Sequence, residues 1–258
     1  MLEASAPTYL SVGNGSDQRQ IAVLQRTGSA PGLFWLGGFR SEMVGTKAEA
    51  LDQYGDRHGL AVTRFDYSGH GASGGAFADG TITRWLDEAL SVFEQTTGPQ
   101  VVIGSSMGGW LALLLNRRLR AGGNTRVKAL ILIAPAVDMT RDLMRTQMSE
   151  QELRDLDTAG FVDQPSEYSA EPYRIFRTLL ADGEGHLLFG NPIETGCPVT
   201  ILQGGQDTDV PPAHALKLVA HLVLDPVTLT LVPDGDHRLS RPDDIRRLTD
   251  AVSRAVAD

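Results

Sequence analysis

A sharp turn between two apolar segments constrains this chain more than any other feature of its sequence. Residues 101–103 are Val-Val-Ile, a β-branched run typical of a buried strand, and 110–115 form an apolar run typical of a buried helix. Between them, 104–108 read Gly-Ser-Ser-Met-Gly, which fits Gly-x-Ser-x-Gly with Ser106 at the centre. This order of strand, glycine-flanked turn and helix predicts that Ser106 stands at the carboxyl end of a strand in a parallel sheet.

The same turn predicts the chemistry that Ser106 can perform. The flanking glycines leave room for a strained backbone at the serine. Ser106 falls at the start of the predicted helix, where the N–H of Met107 has no helical partner and can point at a developing oxyanion. The pattern also fits an ordinary glycine-rich turn in which Ser105 and Ser106 cap the helix, so distant parts of the chain must decide.

Length and composition limit the classes of protein to which the chain can belong. Its 258 residues fit one large α/β domain, 1–258, and no shift in composition divides it. A net charge of −9 disfavours binding to nucleic acid or to an anionic membrane surface. The single cysteine, Cys197, excludes an internal disulfide and is predicted to be a small core residue. The first residues show no targeting pattern and no apolar run is long enough to span a bilayer, so we expect a cytoplasmic protein without a membrane span.

Strand-like and helix-like segments alternate along most of the chain. Strands are predicted at 8–12, 20–25, 32–36, 60–65, 101–103, 127–133, 198–202 and 227–232. Helices are predicted at 48–57, 81–95, 110–115, 213–222 and 243–256. The first two strands flank a turn-rich segment typical of an antiparallel hairpin. The later alternation predicts an α/β fold with a mostly parallel central sheet and helices on both faces.

The alternation stops between 138 and 191, where only the polar-rich helices 149–157 and 171–180 are predicted. An insertion of this length beside a candidate site predicts a helical cap. Its apolar side chains can either contribute to a ligand pocket or simply pack the cap against the sheet; they are Met139, Leu143, Met144, Phe161, Tyr168, Tyr173 and Phe176. Of these, Met139, Phe161 and Phe176 are the predicted substrate contacts, together with Gly38.

Paired glycines follow the third predicted strand, in the segment Gly37-Gly38-Phe39. They place bare backbone N–H groups at the sheet edge where ligands of open α/β sheets bind. We therefore expect a second oxyanion donor from this loop, the N–H of Phe39 by preference and that of Gly38 otherwise. The alternative is a plain tight turn.

A serine hydroxyl becomes a nucleophile only beside a base, and the base needs a carboxylate to fix its tautomer. Of the six histidines, only His237 directly follows the last predicted strand. His70 lies in a glycine-rich loop and is predicted to be structural. Asp207 and Asp209 both follow the seventh strand, and Asp207 is preferred because it is nearer the strand end. The sequence therefore predicts Ser106, Asp207 and His237 as a catalytic triad.

Three segments resemble the triad segments of the α/β-hydrolase superfamily: Gly104-Ser-Ser106-Met-Gly108, Gly204-Gly-Gln-Asp207-Thr-Asp-Val-Pro211 and Gly235-Asp-His237. A narrower resemblance is to the mitochondrial acyl-protein (palmitoyl-protein) thioesterase branch and its bacterial relatives. It is carried by Gly37-Gly-Phe39-Arg-Ser41, Arg64-Phe-Asp66-Tyr-Ser-Gly69-His-Gly71-Ala-Ser73 and Gly104-Ser-Ser106-Met-Gly-Gly-Trp110. The resemblance implies hydrolysis of carboxylic esters or S-acyl thioesters through an acyl-enzyme, on an acylated protein or a small molecule, with no metal or cofactor.

The chain departs from the superfamily pattern at one point, because Gly37-Gly38 stands where many members have His-Gly. The backbone donor is kept, and any contact from that histidine is lost. Two alternatives remain open at the level of sequence. One is a small-molecule carboxylesterase or carbon–carbon bond hydrolase, since the triad would be the same. The other, from a different class, is a non-catalytic ligand-binding protein with this fold.

Overall fold

Eight strands form the central sheet of the computed structural model, which describes residues 6–164 and 173–257. These strands are β1 (Thr8–Val12), β2 (Arg19–Arg26), β3 (Ser29–Leu36), β4 (Leu60–Phe65), β5 (Gln100–Ser105), β6 (Val127–Ile133), β9 (Val199–Gly204) and β10 (Val227–Val232). A second sheet pairs β7 (Phe161–Gln164) with β8 (Tyr173–Phe176) in antiparallel fashion.

Helices pack on both faces of the central sheet, and two further helices of the described residues lie in the segment between β6 and β9. They are α1 (Thr46–His58), α2 (Ile82–Glu94), α3 (Met107–Ala121), α4 (Glu150–Ala159), α5 (Arg177–Gly183), α6 (Pro212–His221) and α7 (Pro242–Ala257). Short 3₁₀ turns lie at Gly15–Asp17, Phe77–Asp79 and Glu184–His186, and a π-helical turn lies at Thr140–Arg145.

The order of the strands confirms the predicted mostly parallel sheet. It runs β1-β2-β4-β3-β5-β6-β9-β10, and only the pairs β1–β2 and β2–β4 are antiparallel. The sheet separates two apolar layers. One contains side chains of α2, α3 and α6, and the other contains side chains of α1 and α7. All six residues of β5 are buried, so the strand that leads to Ser106 lies at the centre of the molecule.

The segment between β6 and β9 differs from its sequence-based description. Helix α4 confirms the predicted helix 149–157. The predicted helix 171–180 is wrong in its first half, because 173–176 form β8 and the helix α5 begins only at Arg177. The short run Tyr-Arg-Ile-Phe alternates with period two, and β7 supplies the partner strand, which a helical pattern taken from one segment cannot reveal. Residues 171 and 172 and the side chain of Tyr168 lie outside the described residues.

The two ends of this segment meet at Asp138, a completely buried residue in the loop after β6. Its two carboxylate oxygens accept hydrogen bonds from the backbone N–H groups of Leu188 and Phe189, each at 2.8 Å. Burial raises the pKa of Asp138, and the two N–H groups act in the opposite direction. One carboxylate therefore joins the start of the segment to its return towards the sheet.

A buried ion pair fixes the loop that follows β4. Glu88 on α2 accepts a hydrogen bond from Arg19 and, at 2.8 Å, one from the backbone N–H of Ser68. The Glu88 side chain is fully buried, and that of Arg19 is 3% exposed. Burial raises the pKa of Glu88, against the lowering effect of these hydrogen bonds. Arg19 also pairs with exposed Asp17 at 2.9 Å, whereas Glu88 has Arg19 as the cation that compensates its buried charge.

We expect Glu88→Leu to lower the free energy of unfolding by about 3–5 kcal/mol, because it leaves the buried Arg19 guanidinium with the exposed Asp17 as its carboxylate partner. Urea denaturation measures this loss. The control is Asp243→Ala, which breaks the exposed pair with Arg246 and should cost no more than about 1 kcal/mol. Equal losses in the two variants would show that burial does not determine the strength of these pairs.

Candidate active site

Ser106 occupies a strained backbone conformation between β5 and α3. Its φ of 55° and ψ of −119° lie in a region that residues with a side chain seldom adopt. Two neighbours hold it there. The Ser106 N–H donates to the carbonyl oxygen of Ile133 at 2.8 Å, and the Ser106 carbonyl accepts from the N–H of Ala136 at 3.1 Å. The turn is thus anchored to the end of β6 and to the residues that follow it.

The flanking glycines are required because backbone atoms approach them closely. A Cβ atom at Gly104 would lie 2.2 Å from the carbonyl oxygen of Gly108, and one at Gly108 would lie 2.1 Å from that of Leu36. Side-chain carbon atoms do not approach backbone oxygens so closely, so a larger residue at either position would displace the turn. Glycine is therefore needed at positions 104 and 108 for steric reasons, as the sequence predicts.

Three side chains from different strand ends form one line of hydrogen bonds. His237 Nε2 lies 3.1 Å from Ser106 Oγ, and His237 Nδ1 lies 2.9 Å from Asp207 Oδ2. Because a carboxylate oxygen can only accept, Nδ1 carries the proton and Nε2 presents its lone pair to the serine hydroxyl. The arrangement allows Nε2 to take a proton from Ser106.

Asp207 is fully buried and receives hydrogen bonds on both oxygens. Oδ1 accepts from the backbone N–H groups of Asp209 and Val210, at 3.0 and 2.8 Å. Oδ2 accepts from His237 and from Gln203 Nε2, the latter at 3.2 Å. The structure therefore brings Asp207 to His237, and Asp209 supplies a backbone N–H to the neighbouring carboxylate.

Gln203 is a residue that the sequence analysis missed. It is completely buried near the end of β9, and besides Asp207 its side-chain amide donates to the carbonyl oxygen of Val210 at 2.9 Å. A long amide near the end of a largely apolar strand, four residues before the candidate aspartate, was the available signal, because a buried amide needs partners.

The loop after β3 lies beside Ser106. The position of a Cβ atom at Gly38 would be 3.3 Å from Ser106 Cβ, which places the backbone of the loop against the serine. Phe39 anchors the loop through ring contacts with Phe77 and Trp85, at centroid distances of 5.1 and 6.1 Å. Met107, the residue after Ser106, is the first residue of α3. Backbone N–H groups at the start of a helix lack intrahelical partners.

Two buried histidines of the described residues, His70 and His214, bond to backbone atoms. His70 Nε2 accepts from the N–H of Arg40 at 3.0 Å, and Nδ1 lies 3.2 Å from the carbonyl oxygen of Ser68. His214 Nε2 lies 2.8 Å from the carbonyl oxygen of Val137. Burial lowers the pKa of both imidazoles. Neither replaces His237 beside Ser106.

The predicted substrate contacts of the 138–191 segment are separated in the structure. Met139 is buried in the large core layer. Phe161 and Phe176 pair with each other at 6.3 Å, and the Arg174 guanidinium stacks on Phe161. Successive residues of a strand point to opposite faces, so these two rings lie on the face of the small sheet opposite that of Tyr173.

Tyr173 is instead a residue of the described part of this segment that contacts the loop after β3. Its ring lies 6.3 Å from that of Phe39, between centroids. Burial, with a further contribution from the negative charge of Asp209, raises the pKa of the Tyr173 hydroxyl. Tyr173 was one of the apolar candidates of the sequence, and the small sheet that orients it was not predicted.

Neither a metal cluster nor a membrane helix is found in the part of the chain that the structure describes. Within 6–164 and 173–257, no group of three or more His, Cys, Asp or Glu side chains could hold a metal ion. Over the same residues, no helix combines the length and apolar character needed to cross a bilayer.

The model of the α/β-hydrolase family matches residues 29–248. Together with the sheet order and the serine turn, this match shows that the chain belongs to the α/β-hydrolase family. A putative hydrolase from Agrobacterium vitis is 49% identical, with a TM-score of 0.94 and coverage of 97% of this chain and 98% of that one.

The chain is also similar to a branch of thioesterases. The structure of mouse α/β-hydrolase domain-containing protein 10 is 32% identical with a TM-score of 0.86, and the match covers 98% of this chain and 99% of that one. Human palmitoyl-protein thioesterase ABHD10 is 34% identical over 252 residues, 96% of this chain and 80% of the relative. The resemblance noted from the sequence is confirmed.

The prediction of a cytoplasmic location is wrong. The matched thioesterases of mouse, orangutan, human, cattle and rat are all named as mitochondrial. An acidic composition and one unpaired cysteine suit any reducing compartment of a cell, so composition could not separate these locations. The prediction of a cytoplasmic location also used the first residues of the sequence, and no location follows from them.

We expect the free energy of unfolding to fall as the pH is lowered below about 6.5, the ordinary pKa of histidine. His214 has a lowered pKa in the folded state, so the unfolded chain binds more protons in that window and stability is lost as the pH falls. Asp142 raises this pKa and Lys217 lowers it, but burial is the largest cause.

Urea denaturation at pH 7.5 and 5.5 measures the loss, with His214→Gln as the comparison. Glutamine keeps a donor for the carbonyl of Val137 and cannot titrate, so the variant should lose less stability than the wild type between these pH values. An equal loss in both proteins would contradict the assignment of His214 as a buried neutral group.

Proposed function

We propose that this hydrolase cleaves carboxylic ester or thioester bonds through an acyl-enzyme on Ser106. The observation that carries the proposal is the line from Asp207 through His237 to Ser106, with 2.9 and 3.1 Å between the bonded atoms. The strained turn supports it as well, because strain of this kind persists where the surrounding structure enforces it and is common at active sites. A ligand-binding protein without catalysis would need neither feature.

In the proposed reaction, Ser106 Oγ attacks the carbonyl carbon of the substrate while His237 Nε2 takes the hydroxyl proton. Asp207 stabilises the imidazolium and keeps its Nδ1–H oriented. As the tetrahedral intermediate collapses, the bond to the leaving group breaks and His237 returns the proton to that group. Water, deprotonated by His237, then attacks the acyl-enzyme, and His237 returns that proton to Ser106 Oγ as the bond to the acid breaks.

The oxyanion of each tetrahedral intermediate needs preorganised donors. We assign this role to the backbone N–H groups of Phe39 and Met107. The close approach of Gly38 to Ser106 supports the first assignment, and the position of Met107 at the start of α3 supports the second. Both donors belong to the main chain, so the replacement of His-Gly by Gly37-Gly38 leaves them in place.

The segment 138–191 is proposed to be a cap within the same domain, and an acylated molecule is the proposed substrate. The relatives of this chain include proteins named palmitoyl-protein thioesterases. This similarity supports an acyl thioester, of a protein or of a small molecule, as the substrate. We call residues 37–41, which follow β3, the oxyanion loop. Contact between Tyr173 and Phe39 supports a cap that covers this loop. A thioester suits this site because a thiolate leaves without the protonation that an amine requires.

Substitution of the two adjacent serines tests the proposed nucleophile. We expect Ser106→Ala to lower kcat for a p-nitrophenyl ester by about 10⁴-fold or more, because only the central serine has a base beside it. Ser105→Ala, a change at the end of β5, should lower it far less. A fluorophosphonate probe should label the wild type and Ser105→Ala but not Ser106→Ala. Equal losses of activity in both variants would contradict the assignment.

Acyl-chain preference tests the proposed cap. Burial of each methylene contributes about 0.8 kcal/mol, so two further carbons should raise kcat/KM about tenfold until the pocket is full. Tyr173→Ala should reduce this gain, since it removes apolar surface above Phe39, and should change turnover of acetyl esters little. Phe161→Ala, on the opposite face of the small sheet, should reduce the gain less. If Tyr173→Ala lowers acetyl and long-chain activity in equal proportion, the segment does not select the acyl group.

A further inference from the structure

His70 is a buried histidine that the proposed reaction does not use, yet both of its ring nitrogens are engaged. The side chain is buried, and Nδ1 lies 3.2 Å from the carbonyl oxygen of Ser68. A carbonyl oxygen can only accept, so Nδ1 carries the proton. Nε2 is then an acceptor, and it faces the backbone N–H of Arg40 at 3.0 Å. Because burial lowers the pKa of His70, this neutral tautomer is favoured at neutral pH.

The group that His70 holds belongs to the oxyanion loop. Arg40 has a φ of 57°, a left-handed conformation that side-chain-bearing residues adopt infrequently. Its N–H is part of the peptide unit that directly follows Phe39. The bond to His70 therefore fixes the peptide unit immediately after Phe39, which limits the backbone conformations that the proposed donor residue can adopt.

Ring packing is a second connection between His70 and the oxyanion loop. The His70 ring contacts Phe77 and Trp85, at centroid distances of 5.2 and 5.3 Å. The Phe39 ring contacts the same two rings, at 5.1 and 6.1 Å. The imidazole and the oxyanion loop thus rest on one aromatic cluster, and a displacement of either side chain is felt by the other.

The loop that carries His70 is itself immobilised. The carbonyl of Ser68, which accepts from His70, also accepts from Trp85 Nε1 at 3.2 Å. The N–H of Ser68 is held by buried Glu88. Asp66 at the start of the loop accepts from the N–H of Met43 at 2.6 Å, so the segment after β3 is tied to this loop at a second point. His70 is a rigid support for Arg40.

We propose that His70 is a positioning residue for oxyanion stabilisation, acting through its acceptor bond to the Arg40 N–H to orient the N–H of Phe39. This inference depends on the proposed function, since it assigns a support to the oxyanion donor of that reaction. His70 does not touch the reacting atoms. Its effect should therefore appear in the stabilisation of the transition state and leave ground-state binding of the substrate nearly unchanged.

Two substitutions separate the acceptor from the ring. His70→Phe keeps an aromatic ring and removes the acceptor, whereas His70→Gln loses the ring and can present an amide oxygen near the position of Nε2. His214→Phe is the control, because it removes a buried imidazole bonded to a backbone atom away from the oxyanion loop. His70→Leu replaces His70→Phe should the latter fail to fold, as judged by circular dichroism.

The readouts are kcat, KM and the inhibition constant of an aliphatic trifluoromethyl ketone, whose adduct with serine places an oxyanion in the hole. We expect His70→Phe to lower kcat about 10- to 100-fold, as for an oxyanion donor that is displaced but not lost, with KM within about threefold of wild type. The inhibition constant should rise by a similar factor. His70→Gln should recover most of the loss, and His214→Phe should retain the wild-type kcat.

The inference is overturned if His70→Gln is no more active than His70→Phe, or if the loss appears in KM with an unchanged inhibition constant. Ser106→Ala, measured in the same assay, separates this failure from that of the proposed function. Activity that survives Ser106→Ala contradicts the proposed function itself. An inactive Ser106→Ala together with a fully active His70→Phe overturns only the role of His70.

Discussion

The geometry of this molecule depends on how closely the turn after β5 packs against the end of β3. A Cβ atom at Gly108 would lie 2.1 Å from the carbonyl oxygen of Leu36, so α3 can begin where it does only with glycine at that position. The close approach leaves Ser106 at a φ of 55°, a conformation that costs about 1–3 kcal/mol. Fully buried β5 and the apolar start of α3 supply the packing that offsets this cost.

Around the turn, three buried carboxylates accept hydrogen bonds from other parts of the chain. Asp207 receives four hydrogen bonds from donors on two loops and a strand. Asp138 joins the two ends of the 138–191 segment, and Glu88 holds the loop of His70. These bonds compensate the loss of hydration that burial imposes. They also fix the positions of loops that would otherwise be mobile, which is what preorganisation of a site requires.

Features with a local sequence pattern could be predicted. The serine turn, all eight strands of the central sheet and the approach of Asp207 to His237 follow from apolar runs, glycines and the order of strand ends. Features that depend on partners distant in sequence were missed. The pairing of β7 with β8 needed the other strand, and the role of Gln203 needed the position of Asp207. His70 was expected to be structural, but no sequence pattern shows that its partner is the N–H of Arg40.

The central claim is that Ser106 carries the acyl group between the two halves of the reaction. Rapid acid quenching of the protein with a p-nitrophenyl ester, followed by intact-mass and peptide mass spectrometry, tests it most directly. The account predicts one acyl adduct per chain, on the peptide that contains Ser106, at a rate that matches the burst of nitrophenol. Hydrolysis at the wild-type rate without an adduct, or with the adduct on another residue such as Cys197, would contradict it.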